Sequence, residues 1–365
     1  MPSLRLNFLA NLVAALYLAA INLLVLPRFL GELGSLEFGL VAFYTVIFAT
    51  AQLLDLGMSP LLNREAARSR GRPNGAEEFA QLLRSLEWIA LAIAVSMTLG
   101  FALCRSFFLI SCLGLETTSV ERYGSCIIMI GFVAGLRPLC SLYKSGLKGF
   151  EHQLALNTVL IAIGTLRFPL TLLILIFLDG SVVLFFIIQC LCSMLEAALL
   201  AGLMYWREPS CRRARPAPDW KGLRPKLSFS LGVAYASLVW VLLTQMDKLI
   251  LSHELAVEHF GFFVLASALS GGILLLCTPI TDATLPRLTA RHGEGRWAQR
   301  DSIYLQTSLY VASVAFAAAA VLAFYARDIV ALWTGSDDAA VFATGVLPYL
   351  AYGTALAAVS GMLFQ

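Results

Sequence analysis

Apolar residues in this chain neither alternate with polar ones nor keep to one helical stripe. They run on in blocks closed by charge, glycine or proline, at 6–30, 37–61, 85–110, 121–145, 155–178, 181–206, 227–252, 259–286, 303–326 and 340–365. A helix needs about 20 apolar residues to cross a bilayer core. Hydrophobicity all round each block, with no period of two, predicts helices and not the strands of a membrane barrel. The expectation is an all-α polytopic membrane protein with about ten transmembrane helices. The longest connection, REPSCRRARPAPDWKGLRPK at 207–226, reads as a basic, solvated cytoplasmic linker near anionic headgroups. It divides an N-terminal lobe of six helices, 1–206, from a C-terminal lobe of four, 227–365. That second lobe stops at Gln365 inside an apolar run and reads as truncated.

Charge sets the orientation. Of 26 Lys and Arg residues, nineteen fall in alternate connections on one side, four on the other, and Arg137, Arg167 and Lys248 lie within blocks. The bias of basic residues toward cytoplasmic loops places the N-terminus in the cytoplasm. The first block is too long for a signal-peptide core and lacks a small-residue cleavage site, so a permanent helix is expected. Composition agrees: 59% of the 365 residues are hydrophobic and 13% are charged, against roughly 25% charged in a soluble domain. The formal charge of +3 is distributed by topology and not gathered on a groove-binding face, so no nucleic-acid partner is expected. Eight cysteines without C-x-x-C spacing read as small buried hydrophobes, with one disulfide among Cys104, Cys112 and Cys126 left open. His253-Glu254 and Glu258-His259 put the histidines six apart, off the four-residue spacing of a helical zinc pair, so no metal site is expected.

An offset of 222 residues lays Phe38-Gly39 over Phe260-Gly261 and Gly71 over Gly293. Both copies start from the cytoplasm, which predicts parallel repeats about an axis along the membrane normal, a plan common in transporters. Gly131-x-x-x-Gly135 predicts close helix packing. Asn7, Asn11 and Asn22 on the first helix and Gln52, Ser59 and Asn63 on the second either line a wet cavity or bond to other helices.

The opening stretch, NFLANLVAALYLAAINLLVLPRFLGELGSLEFGLVAFYTVIFATAQLLDLGMSPLLNREAARSRG, resembles the start of bacterial polysaccharide flippases of the O-antigen type, in the multidrug/oligosaccharidyl-lipid/polysaccharide exporter superfamily. A second stretch from Trp240 to Thr289 is similar to that family's seventh and eighth helices, with Asp247-Lys248, Phe260-Gly261 and Pro286-Arg287 as landmarks. The resemblance implies two lobes of six helices each, of which this chain has ten. It also implies translocation of undecaprenyl-pyrophosphate-linked oligosaccharide from the cytoplasmic to the periplasmic leaflet of the bacterial inner membrane by alternating access. The purpose would be surface-polysaccharide (O-antigen, lipopolysaccharide) biosynthesis. No enzyme activity and no cofactor beyond a coupling H+ or Na+ follow from it, and the partners are lipid-linked oligosaccharide, membrane lipids and other polysaccharide-assembly membrane proteins. Two rivals stay open: cation-coupled multidrug efflux, and a membrane-embedded glycosyltransferase or polymerase. The second would need a sizeable outer loop bearing carboxylates or arginines, and every outer connection here is short.

An ionisable residue deep in a membrane helix costs about 2.5 to 3.5 kcal/mol on insertion scales and so needs a partner or a use. Arg167 lies 12 residues, about 18 Å, into the fifth block, near the midplane. Glu196 lies at a comparable depth in the sixth, so the two either neutralise each other or serve a substrate or ion. Arg137 sits beside Pro138. A guanidinium offers a planar fork of donors to a pyrophosphate, so Arg137 and Arg167 form either a cationic substrate track or braces against acids. Asp247 and Lys248 fall near the periplasmic end of the seventh block, as a gate or as snorkelling groups. Asp55 and Asp282 fall near cytoplasmic ends, either binding a coupling ion or solvated at the headgroups.

Overall fold

The computed structural model describes residues 4–70, 74–178, 180–213, 217–223, 227–294 and 296–361. All regular structure among them is helical. The principal helices are α1 (Leu4–Thr50), α2 (Met58–Ser69), α3 (Gly75–Leu103), α4 (Ser119–Gly149), α5 (Gln153–Phe177), α6 (Val182–Arg207), α7 (Leu227–Glu254), α8 (Val257–Gly293), α9 (Trp297–Phe324), α10 (Ala326–Thr334) and α11 (Asp337–Gly361). Nine among the described residues are long and apolar enough to cross a membrane. The difference from ten lies in α1, which joins the first two expected spans. Its kink is Gly34, at φ 77 and ψ 167, a region essentially open to glycine alone.

The second expected span, to residue 61, also ends differently. A tight turn at Ala51–Asp55 is followed by left-handed Leu56 (φ 48) and Gly57 (φ 73), and the chain restarts as α2. A Cβ at Gly57 would lie 2.2 Å from the carbonyl oxygen of Ser230, so α7 packs directly on the break. The fifth span carries a wide turn at Leu166–Leu170 around Pro169. Proline has no N–H to give the preceding turn. Within the same wide turn the Arg167 carbonyl accepts from Gln189 Nε2 at 3.1 Å, a side-chain hydrogen bond that ties α5 to α6.

The helices form two compact units, Met1–Ile21 with Leu40–Val257 and Asn22–Gly39 with Glu258–Gln365. Thus α7, which opens the C-terminal lobe of the sequence-based division, makes its contacts within the first unit. The seam there is α3 against α4. A Cβ on Gly131 would come within 2.5 Å of Phe101, and one on Gly135 within 2.8 Å of the Ala94 backbone. Only glycine permits that approach, as the small-xxx-small spacing implies. Asn11 bonds Gln153 (2.9 Å) and Asn157 (2.6 Å), which ties α1 to α5. The basic linker is not simply solvated. Cys211 and Leu223 join the core under α3, and Gln81 Nε2 donates to the Ala217 carbonyl while Asp219 N–H donates to Ser85 Oγ. Its apolar residues have a greasy helix end to cover, which outweighs exposure of a 20-residue basic loop.

In the second unit α8, α9 and α11 close on Ile273, Cys277, Val311, Ala315, Ala319, Ala351 and Ala355. Phe38 and Phe260 are wholly buried, and a Cβ on Gly261 would lie 3.0 Å from Phe38 and 3.5 Å from Gly39. The two Phe-Gly pairs equated by the repeat therefore sit side by side.

Candidate functional site

The site is built on α6. Gln189, Ser193 and Glu196 follow at four and three residues, a spacing that places them on one face, and all three are buried. Each meets α5 or α4. Arg167, brought in by the wide turn of α5, donates from Nη2 to Ser193 Oγ and to Glu196 Oε2, both at 3.0 Å. The expected meeting of Arg167 and Glu196 thus exists, but it is not exclusive. On the other carboxylate oxygen, Oε1, lie Lys144 Nζ at 2.5 Å and Arg137 Nη1 at 3.8 Å. Three cations share one acid, a surplus of two positive charges in low-dielectric surroundings. The Phe48 ring softens that surplus, with the Arg137 and Arg167 guanidinium carbons 4.1 and 5.5 Å from its centroid. The Nε of each arginine is buried without a hydrogen-bond acceptor.

Lys144 also faces a cleft of about 470 Å³ in the first unit. Ser141, Lys144, Ser145 and Lys148 of α4 form one wall, Gln52, Asp55 and Ser59 a second, and α7 a third with Ser237 and Trp240. Asp55 does not stand alone in a helix. It follows the tight turn, and its Oδ2 and Oδ1 accept from the N–H (3.0 Å) and hydroxyl (2.5 Å) of Ser59, closing the first turn of α2. Ser230 Oγ donates to the Leu56 carbonyl at 2.7 Å, satisfying the group the break exposes. The cleft therefore combines two ammonium groups, four hydroxyls and one already bonded carboxylate. That set suits an anion with many acceptor oxygens.

Lys144 and Lys148 do not stand out when counted as loop charges by topology. The signal that marks them is the face Arg137, Ser141, Lys144, Lys148, at steps of four, three and four. A second acid, Glu87, carries no signal in a list of mid-span charges because it lies at the start of the expected third block, 85–110, although α3 begins earlier, at Gly75, and places it near the middle of the helix. It is buried and accepts from Tyr143 (2.7 Å), Tyr205 and Arg84 (3.1 Å), a brace of α3, α4 and α6. Of the remaining expected positions, Lys248 reaches back to the Thr244 carbonyl and Gln245 on its own helix, both at 3.3 Å, and Asp247 is exposed. Neither joins the Glu196 cluster. The Asp282 side chain lies outside the described residues. His253 bonds the Ser111 carbonyl, whereas His259 stacks on Phe342 at 5.5 Å, so the two serve different surroundings.

Residues 4–292 match the model of a family described as polysaccharide biosynthesis protein. No curated protein matches. Among solved structures, the chain is similar to an inward-facing multidrug resistance MATE family transporter of the MOP superfamily, with 17% identity, TM-score 0.71 and coverage of 96% of this chain and 81% of that one. It is also similar to the MATE multidrug transporter DinF-BH, solved in complex with a ligand, at 13% identity and TM-score 0.65 over 100% and 83% of the two chains. A third is a MOP superfamily transporter from Pyrococcus furiosus, at 16% identity and TM-score 0.56 over 97% and 81%, whose reported pocket polarity is reversed. At these identities the likeness establishes a MATE-like fold and nothing finer.

Proposed function

The chain belongs to the polysaccharide biosynthesis protein family, and from that premise we propose that it is a multi-pass membrane transporter that flips a pyrophosphate-linked oligosaccharide lipid between membrane leaflets. In this reading the cargo is undecaprenyl-pyrophosphate-linked sugar. It moves from the cytoplasmic to the periplasmic leaflet of a bacterial inner membrane, with the N-terminus cytoplasmic, and feeds O-antigen or related surface polysaccharide.

One observation carries the reading: the surplus of two positive charges at Glu196, continued by Lys144 and Lys148 into a hydroxyl-lined cleft. A cluster with more cations than acids is costly unless an anion visits it. Pyrophosphate supplies that charge and can accept from several donors at once. Arg167, nine-tenths buried, holds Glu196 in place, and Arg137 and Lys144, about one-fifth exposed, are the groups within reach of a ligand. Loss and return of the ligand's charge as it enters and leaves is the differential interaction that alternating access requires. Coupling to H+ or Na+ would fall to Asp55 and Asp282, and gating to Asp247 and Lys248.

Multidrug efflux is the rival to be tested. Deleting the gene in its host should leave lipid-linked repeat units on the cytoplasmic face, with unchanged sensitivity to cationic dyes. Repeat units still reaching the outer face, together with raised dye sensitivity, would replace this reading with the efflux one.

A further inference from the structure

The first unit holds a second recess, and its position relative to the cleft is informative. It is an apolar groove of about 740 Å³, within the roughly 300–1,000 Å³ of ligand-sized sites. Its floor is one face of α3, where Trp88, Ala92 and Ser96 follow at steps of four. Ser96 is its single side-chain hydroxyl, and no charged residue lines it. The wall opposite α3 is the broken end of α1. In that segment, Gln52 and Asp55 line the cationic cleft, and Leu54 and Leu56 line the groove. One stretch of backbone, reversed by the left-handed Leu56 and Gly57, thus has a polar chamber on one side and a greasy one on the other.

The groove is also roofed. Pro218 and Trp220 of the basic linker lie over it, fixed by the Gln81 to Ala217 and Asp219 to Ser85 hydrogen bonds at 2.9 and 2.8 Å. A helix face that merely contacts bulk lipid has no use for a hydrogen-bonded loop laid across it. Two exposed indoles, Trp88 and Trp220, offer broad flat apolar surfaces to a chain lying in the groove.

We infer that this groove holds the head-proximal isoprenoid units of the same pyrophosphate lipid whose head occupies the Lys144/Lys148 cleft. The inference rests on the flippase reading and deepens it. Segment Gln52–Leu56 is the divider at which the ligand changes from charged to apolar. Two adjoining compartments of opposite character, separated by a single strand of chain, match an amphiphile whose charge ends abruptly at one bond.

The test uses full-length protein in phosphatidylcholine nanodiscs with three probes: inorganic pyrophosphate, farnesyl pyrophosphate, and farnesyl pyrophosphate carrying a diazirine on its tail. Farnesyl pyrophosphate should bind at least tenfold more tightly than inorganic pyrophosphate, after correction for its partition into protein-free discs. On irradiation the diazirine should label residues 88–97 and 218–220. Excess inorganic pyrophosphate should suppress the labelling, and so should Lys144→Gln with Lys148→Gln. Ala92→Trp fills the groove at an exposed position, and should bring the two ligands within twofold of each other in affinity. Ser96→Leu, a smaller change, should reduce the tail's advantage partway and serves if the Trp variant does not fold.

Labelling of this segment that survives excess pyrophosphate, or that phosphatidylglycerol removes as readily as farnesyl pyrophosphate does, would make the groove an ordinary lipid contact and overturn the inference. If pyrophosphate binds wild type but the tail adds nothing, the groove assignment alone fails. If inorganic pyrophosphate does not bind at all, the cationic-cleft reading fails first and takes this one with it.

Discussion

Helices α3 and α4 of the first unit and α9 and α11 of the second are mates in the 222-residue repeat. Adding 222 to the bounds of α3, Gly75–Leu103, gives 297–325, against an observed α9 of Trp297–Phe324. The plan is shared and the chemistry is not. The first pair brings Glu87, Arg137 and Lys144 inward, whereas the second closes on alanines. All four charged side chains buried among the described residues, Glu65, Glu87, Arg167 and Glu196, belong to the first unit. Duplicating a fold copies helix lengths and landmarks, because those answer to the bilayer and to packing. Charge in the bilayer answers to use, and among the described residues its buried share is concentrated in one copy.

The sharpest way to break this contrast is Glu196→Ala. It removes the only acid of a three-cation cluster, and stranding buried charges of one sign costs about 3 to 5 kcal/mol. Folded protein in the membrane and its melting temperature in detergent should both fall steeply. In the second unit Thr307→Val, which removes the 3.4 Å contact with Thr284, should cost about 1 kcal/mol or less. Equal losses would show that charge placement does not distinguish the units.

Next comes Arg167. If Arg167 and Glu196 were an isolated pair, Arg167→Ala with Glu196→Ala would restore expression. With Lys144 and Arg137 on the same carboxylate, the double variant still leaves two cations without an acid. It should therefore be as poorly expressed as Glu196→Ala alone, while Arg167→Ala alone is milder because Glu196 keeps two partners. Full recovery in the double variant would reduce the cluster to a simple pair.

A smaller difference lies in the seams. Gly135→Ala places a methyl 2.8 Å from the Ala94 backbone and should cost about 1 to 3 kcal/mol by overpacking. Gly353→Ala in α11 meets nothing within 4 Å and should leave thermal stability unchanged or slightly raised. Smallest of all is a labelling contrast at pH 7.5. Exposed Cys104 should react with a maleimide. Cys211, in the linker itself, is buried against α3, and burial pushes its thiol up to about 12, so it stays protonated and unreactive. Ser85→Ala removes a hydrogen bond holding the linker and should speed Cys211 labelling. No change in rate would mean that the linker is anchored elsewhere.

Much of this was legible from residue order. Uninterrupted apolar blocks dictate membrane helices, and Gly131-x-x-x-Gly135 announces a tight seam. Arg167 and Glu196 stand out because nothing but function or a partner excuses a charge at the midplane. The breaks were less legible. Leu56 is left-handed because Ser230 and Ser59 satisfy the groups around it, and such tertiary partners leave no local trace. Lys144 is hidden by its address: near the end expected to be cytoplasmic it counts as a topology charge, and only its spacing from Arg137 points it inward. The linker misled for the opposite reason, since a basic, proline-rich composition says nothing of the buried Cys211 and Leu223.

Whether the first unit's surplus of positive charge carries a pyrophosphate lipid is decided by transport in proteoliposomes. A fluorescent undecaprenyl-pyrophosphate oligosaccharide would be followed from leaflet to leaflet for wild type, for Lys144→Gln with Lys148→Gln, and for Arg327→Gln, which removes an exposed second-unit cation paired to Asp337 at 3.1 Å. Glu196 keeps both arginines in the lysine double variant, so the protein should fold. Transport of the lipid by that charge requires at least a tenfold lower flipping rate per folded molecule for the double variant, and a rate within twofold of wild type for Arg327→Gln. Equal rates for all three proteins would contradict it.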